Sequence, residues 1–213
     1  MKFMPSIQEL INGYRRFYGQ YFLDKKNPVY KSLIRGQSPS TLFIGCSDSR
    51  VDPAILTDAN PGDIFVIRNI ANLVPKYEPE WSTCHGVSAA IEFAVQILNV
   101  SDIVVMGHSC CGGIRSLIDN DFKKNSFIAG WIDIASPVKT AIPDIMKKGE
   151  CKYSLSEQLA IKLSLKNLLT FPYVSSRVET GTVKLHGWYF SINTGELKIY
   201  SQEEDVFEPV RGV

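Results

Sequence analysis

The chain has almost no net charge: 23 Lys and Arg stand against 22 Asp and Glu, leaving +1 over 213 residues. That balance excludes the basic footprint of a nucleic-acid binder and the polybasic face of a membrane-surface protein, so the expected partner is a small molecule. No apolar run approaches the roughly 18 residues that a membrane span needs. The opening stretch MKFMPSIQEL lacks the continuous apolar segment of a secretory leader. Cysteines number 5, an odd count in a chain long enough to bury a core without covalent staples. Free thiols in a reducing cytoplasm are therefore expected, in place of a disulfide framework. With no repeats, no low-complexity tract and no clear linker, one domain is expected over 1–213, with an N-terminal helical arm over 1–35 and the core over 36–213.

What is present reads as α/β. Ile7, Leu10, Ile11, Tyr14, Phe17, Tyr18 and Tyr21 recur at helical spacing, with Ser6 placed to cap the start and Glu9 at the capping-box offset. This aromatic stripe either packs on its own domain or lies across a second subunit. Residues 41–45, 64–67 and 102–107 read as buried strands. Residues 86–98 read as a helix apolar on more than one face, and Gly112 and Gly113 open another. Strand–helix–strand order predicts a mostly parallel central sheet flanked by helices. The stretch 119–153 is more polar, with Pro137, Pro143 and a Lys147-Lys148-Gly149 turn, and predicts short helices. Residues 155–169 predict an amphipathic helix with Ser154 as cap and Glu157 three residues on. Alternation over 182–192 and 196–200, around Asn193-Thr194-Gly195, predicts a C-terminal β-hairpin.

The chemistry is carried by a split set of metal ligands: Cys46 in TLFIGCSDSR, and His108 and Cys111 in DIVVMGHSCCGG. Two thiols and an imidazole suit Zn²⁺, and three protein ligands leave a fourth position open, as at catalytic zinc. Both groups end apolar strands, where α/β folds place their sites. Cys110 competes with Cys111, but the glycines after Cys111 favour it, because small residues let backbone approach an ion. Asp48 and Arg50 follow Cys46 closely enough to form a charge-assisted pair. Beside a metal, Asp48 can accept a hydrogen bond from bound water or swing in as a fourth ligand, with Arg50 holding it outward. Cys84 and Cys151 have no comparable context, and His85 and His186 receive no catalytic role.

These motifs resemble the β-class carbonic anhydrases. The resemblance runs through CSDSRV at 46–51, PGDIFVIRNIAN at 61–72 and GHSCCGGI at 107–114, and more weakly through NLLTFPYV at 167–174 and HGWYFSINTGEL at 186–197. It implies one Zn²⁺ per chain on Cys46, His108 and Cys111, with hydroxide in the fourth position attacking CO₂ to give bicarbonate. It implies that Asp48 orients that hydroxide and that Arg50 fixes Asp48. Gln37, Phe65 and Ile70 match substrate-pocket positions of the plant-like subgroup, and Gly112 is placed with them. Phe93 stands where that subgroup has a tyrosine. Phe43 stands where another subgroup has the tryptophan of an inhibitory bicarbonate site, although Arg68 is retained. The plant-like (type I) form is therefore expected, with Asp48 off the metal near neutral pH. A homodimer or higher homo-oligomer is implied as well, which favours the intersubunit reading of the aromatic stripe. Two alternatives are a CS₂ or COS hydrolase on the same scaffold and, from the adjacent Cys110-Cys111 pair, a noncatalytic zinc or thiol-redox protein.

Overall fold

The computed structural model describes residues 5–24, 28–79, 85–146 and 149–211. Cys84 and the Lys147-Lys148 part of the expected turn lie outside them. The chain divides into two compact units, Met1–Ser38 and Pro39–Val213.

In the first unit, α1 (Ile7–Tyr18) starts at the expected capping box: Ser6 Oγ accepts the Glu9 N–H and the Glu9 carboxylate accepts the Ser6 N–H. A π-helical turn, Gly19–Leu23, and then α2 (Val29–Leu33) follow. Tyr30 stands edge-on to Phe17 and Tyr21, with centroids 5.5 Å apart in each pair. The stripe itself is open: Ile7 is 73% exposed and Tyr14 61%.

The second unit is built on a sheet whose described strands are β1 (Thr41–Cys46), β2 (Ile64–Asn69), β3 (Asp102–His108), β4 (Lys184–Phe190), β5 (Leu197–Ser201) and β6 (Val206–Pro209), in the order β2-β1-β3-β4-β5-β6. The first four are parallel, with Gly45 opposite both Arg68 and Met106, and β4-β5-β6 are antiparallel. β1 and β3 are buried almost end to end because helices cover both faces, which is why they read as unbroken apolar runs. Alternation sorts their side chains. Leu42, Ile44, Ile103 and Val105 point to one layer, formed by α4 (Gly86–Glu92), its π-helical continuation Phe93–Ile97, α8 (Lys152–Leu168) and α9 (Pro172–Glu179). Phe43, Val104 and Met106 point to the other, formed by α5 (Gly112–Asp119), α6 (Phe127–Ile132) and α7 (Ser136–Ile145). A short α3 (Pro53–Thr57) follows β1, capped by the Asp52 carboxylate.

One boundary is corrected, and the C-terminal hairpin forms with a strand added. The helix predicted from 155 begins at Lys152, with Cys151 at the cap position. Asp119 accepts hydrogen bonds from Lys152 Nζ at 3.0 Å and the Tyr153 hydroxyl at 2.8 Å, which supports the extra turn. Ser154 is thus inside the helix, and its hydroxyl meets that of Tyr189. The expected hairpin forms as β4-β5, with Gly195 at φ +75° in its turn, but β6 extends it. Residues 206–209 are too short and too exposed to show an alternating pattern; the Tyr200 and Phe207 rings, 5.2 Å apart, supply their hold.

Gly107, next to His108 on β3, is required by α8: a Cβ there would lie 2.8 Å from Ile161 Cδ1. Gly107→Ala is predicted to destabilise the protein by about 1–3 kcal/mol in urea unfolding. Adding Ile161→Val, which removes that Cδ1, should recover part of the loss. Equal stability of Gly107→Ala and wild type would show that the contact is not restrictive.

Candidate metal centre

Cys46 and His108 end the adjacent strands β1 and β3 at the sheet centre. The chain passes from β1 to β2 on one side and returns to β3 on the other, so both ligands sit at the topological switch point of the sheet. After His108 the chain turns through Ser109 and Cys110, the latter in the left-handed region at φ +58°, and delivers Cys111 to the start of α5. The ligand atoms of Cys46, His108 and Cys111 all lie within 4.8 Å of one another, and all three residues are buried. Cys110 is exposed and outside this group. The sequence-based preference for Cys111 thus agrees with the geometry.

Three observations show that a zinc ion fits. His108 Nδ1 lies 2.9 Å from the Ser109 carbonyl oxygen, so Nδ1 carries the proton and donates it there. His108 Nε2 is buried with no hydrogen-bond partner among the described residues, a lone pair in want of a ligand. The Cys46 and Cys111 sulfurs are 4.0 Å apart. Two thiolates about 2.3 Å from one tetrahedral ion would be about 3.8 Å apart. The hydrogen bond from Cys111 draws the Cys46 thiol pKa well down. The same contact, followed by burial, pushes Cys111 up, because a second buried thiolate meets the first. A divalent cation removes that conflict, and its binding releases the remaining proton. The donor set is that of a single Zn²⁺ site.

Asp48 stands beside the triad, its Oδ2 4.0 Å from His108 Nε2. Arg50 grips it as a fork: Nε donates to Oδ1 at 2.9 Å and Nη2 to Oδ2 at 2.7 Å. That pairing, above all other causes, holds the Asp48 carboxyl well below the usual carboxylate range. Arg50 Nη2 also donates to the Cys110 carbonyl at 3.1 Å, joining the two ligand-bearing loops. Arg68, from β2, donates to the carbonyls of Cys46 at 3.0 Å and Asp48 at 2.7 Å, and to Asp52 Oδ2 at 2.8 Å.

The remaining predicted positions are spread out. Ile70 lies at the metal end of β2, 42% exposed, with its carbonyl accepting the Trp131 indole N–H at 2.8 Å. Ile70 backs onto Gly113, where a Cβ would come within 2.8 Å of Ile70 Cγ2; a Cβ on Gly112 would meet nothing within 4 Å. Phe65 stacks on Phe93 at 5.9 Å, but it lies four residues before Asn69, the partner of Cys46, about 13 Å down the strand. Gln37 belongs to the N-terminal unit and is exposed. His186 pairs with Asp102 at 2.8 Å, at the opposite end of the strands from the ligands. Sequence reasoning missed one site residue, Glu157, treating it as a capping partner. It is buried, and Oε1 accepts the Cys111 N–H at 2.9 Å. The signal was available: Glu157 falls on the same helical face as Ala160, Ile161, Ser164, Leu165 and Leu168.

A buried thiolate–imidazole site at the switch point of a parallel sheet defines an α/β zinc protein. Residues 41–197 match the family model described as carbonic anhydrase. Beta carbonic anhydrase 3 of Arabidopsis thaliana is 35% identical, over 92% of this chain and 78% of that protein. The solved β-carbonic anhydrase CcaA is similar at 34% identity and a TM-score of 0.87, covering 97% of this chain and 92% of that one. A solved structure from work on two tetrameric β-carbonic anhydrases of Sordaria macrospora is similar at 28% identity and a TM-score of 0.78, covering 90% and 95%. The chain belongs to the β-class carbonic anhydrase family. No helix among the described residues is long and apolar enough to cross a membrane.

Purified protein is predicted to carry one zinc per chain by plasma mass spectrometry. Cys46→Ser, His108→Ala and Cys111→Ser should each fall to about a tenth of that or less, through loss of a ligand. Cys110→Ser should keep full occupancy. Loss of zinc on changing Cys110, with retention on changing Cys111, would reverse the ligand assignment.

Proposed function

We propose that the protein catalyses the reversible hydration of CO₂ to bicarbonate and a proton at the Cys46–His108–Cys111 zinc site. The observation that carries this reading is the Asp48–Arg50 fork beside the triad, with Asp48 Oδ2 4.0 Å from His108 Nε2. When bound, zinc lowers the pKa of water from 15.7 to about 7 and so supplies a hydroxide nucleophile at neutral pH. Asp48 would accept a hydrogen bond from that nucleophile and so orient it for attack on CO₂. It can do so because Arg50 keeps it both ionised and fixed. Ile70, Phe65, Phe93 and Gly112 offer apolar or open surface suited to a nonpolar substrate, and Gln37 a hydrogen-bond donor to it.

The plant-like form of the site is favoured by two details. Arg50 holds both Asp48 oxygens, a pairing that would keep the aspartate from serving as a fourth ligand. Arg68 is committed to two carbonyls and Asp52, and Phe43 is packed edge-on to Trp188 at 5.7 Å, so neither is poised for an inhibitory anion. We take the working unit to be a homodimer or larger, in the cytoplasm, with 1–35 as the arm of a single domain whose core is 36–213. The exposed stripe of α1 and the separation of the Phe65–Phe93 pair from its own chain's ligands support a pocket completed by a second copy.

Stopped-flow hydration of CO₂, run beside CS₂ hydrolysis, tests the assignment. Hydration is expected; CS₂ turnover without it would move the substrate, and neither activity at full zinc content would defeat the enzyme reading. Asp48→Asn and Arg50→Leu should each lower kcat/KM about 10²-fold with zinc retained. Arg50→Leu lets the Asp48 pKa rise from its lowered position toward the ordinary carboxylate range. A carboxylate in that range is still charged near neutral pH, so the pH profile should fall in height there without moving along the pH axis.

A further inference from the structure

Glu157 is 3% exposed, in the second turn of α8, and nothing in the proposed reaction uses it. Both its oxygens are engaged. Oε1 accepts the backbone N–H of Cys111 at 2.9 Å, and Oε2 accepts the Tyr189 hydroxyl at 2.8 Å. Tyr189 is itself buried on β4, and its oxygen lies 2.9 Å from Ser154 Oγ. Burial pushes the Glu157 pKa up, and the Cys111 and Tyr189 hydrogen bonds oppose it. A carboxylate buried this way costs several kcal/mol unless its hydrogen bonds compensate. Packing alone does not explain a buried carboxylate, since what an apolar side chain would lose at this position is the acceptor for the Cys111 N–H.

Its place in the ligand-bearing turn does. Ser109 is tied to β4, its N–H donating to the Phe190 carbonyl at 2.9 Å and its Oγ accepting the Ile192 N–H at 2.8 Å. Cys110 is tied through its carbonyl to Arg50. Cys111 is tied to α8 by Glu157. The turn therefore has an anchor at each of its three residues, and the anchor at the ligand itself is the glutamate. We propose that Glu157 is a positioning residue for the metal: it fixes Cys111 through its backbone N–H, and Tyr189 holds the carboxylate in place. The proposal rests on zinc being bound by Cys46, His108 and Cys111.

Zinc release into excess chromogenic chelator, beside the melting temperature of each zinc-free protein, tests it. Glu157→Ala is expected to release zinc about 10–100 times faster than wild type. Glu157→Gln, whose amide oxygen still accepts the Cys111 N–H while Tyr189 turns its hydroxyl toward Ser154, should stay within about threefold. Tyr189→Phe should be faster than wild type by about threefold or more. Wild-type release from a folded Glu157→Ala protein would overturn the proposal, as would a Glu157→Gln protein that leaks as fast as the alanine variant. Should Glu157→Ala fail to fold, Tyr189→Phe decides, and unchanged release there overturns it. Wild-type protein without stoichiometric zinc would instead defeat the metal reading before any variant is compared.

Discussion

Two sulfurs held 4.0 Å apart in a buried site, with an imidazole nitrogen that has no hydrogen-bond partner among the described residues, impose the demand around which this fold is arranged. Two thiolates repel each other there, and a lone pair without a donor is costly in a dry interior. A divalent cation answers both. The protein has to bring the three donors from two strand ends and a helix start, since no short segment holds them all. The parallel sheet does this by setting β1 beside β3 with their C-terminal ends level, so that Cys46 and His108 arrive together at the switch point.

Strand register places two of the ligands, but the loops that follow need separate restraint, and charged side chains supply it. Arg68 reaches from β2 to the carbonyls of Cys46 and Asp48, so the loop after β1 is tied to its neighbouring strand. Arg50 joins that loop to the one after β3 through the Cys110 carbonyl, while its other contacts orient Asp48. Glu157 ties the second loop to α8. Arginine suits the first two tasks because its planar donors can serve a carboxylate and a carbonyl at once. A carboxylate suits the third because the group to be held is an N–H.

Much of this was readable from residue order. The ligand set, the Asp48–Arg50 pair and the strands that carry them stand in local patterns: apolar runs of strand length, each followed by donors and a turn. The capping box at Ser6 and Glu9 is local too, and it formed as expected. What escaped depends on distant partners. The early start of α8 is supported by Asp119, 33 residues before Lys152. β6 is held by pairing with β5 more than by any pattern of its own. Glu157 looked like one half of a cap, because offset from Ser154 is all that a linear reading can weigh. Its real partners are 46 residues before it and 32 after it.

The two glycines after Cys111 differ in what surrounds them. Small residues after Cys111 were expected so that backbone could approach the metal, with Gly112 the residue assigned to the pocket. A Cβ at Gly112 would meet nothing, whereas at Gly113 it would reach Ile70 Cγ2 at 2.8 Å and Ala71 Cβ at 3.0 Å. The constraint therefore comes from the 3₁₀ turn Ile70–Asn72 that follows β2, in which Ala71 itself adopts φ +64°. Close approach of α5 to that turn sets the wall that Ile70 presents at the metal end of the sheet. The second glycine thus shapes the apolar side of the site through its neighbour, while the first leaves the space beside Cys111 open.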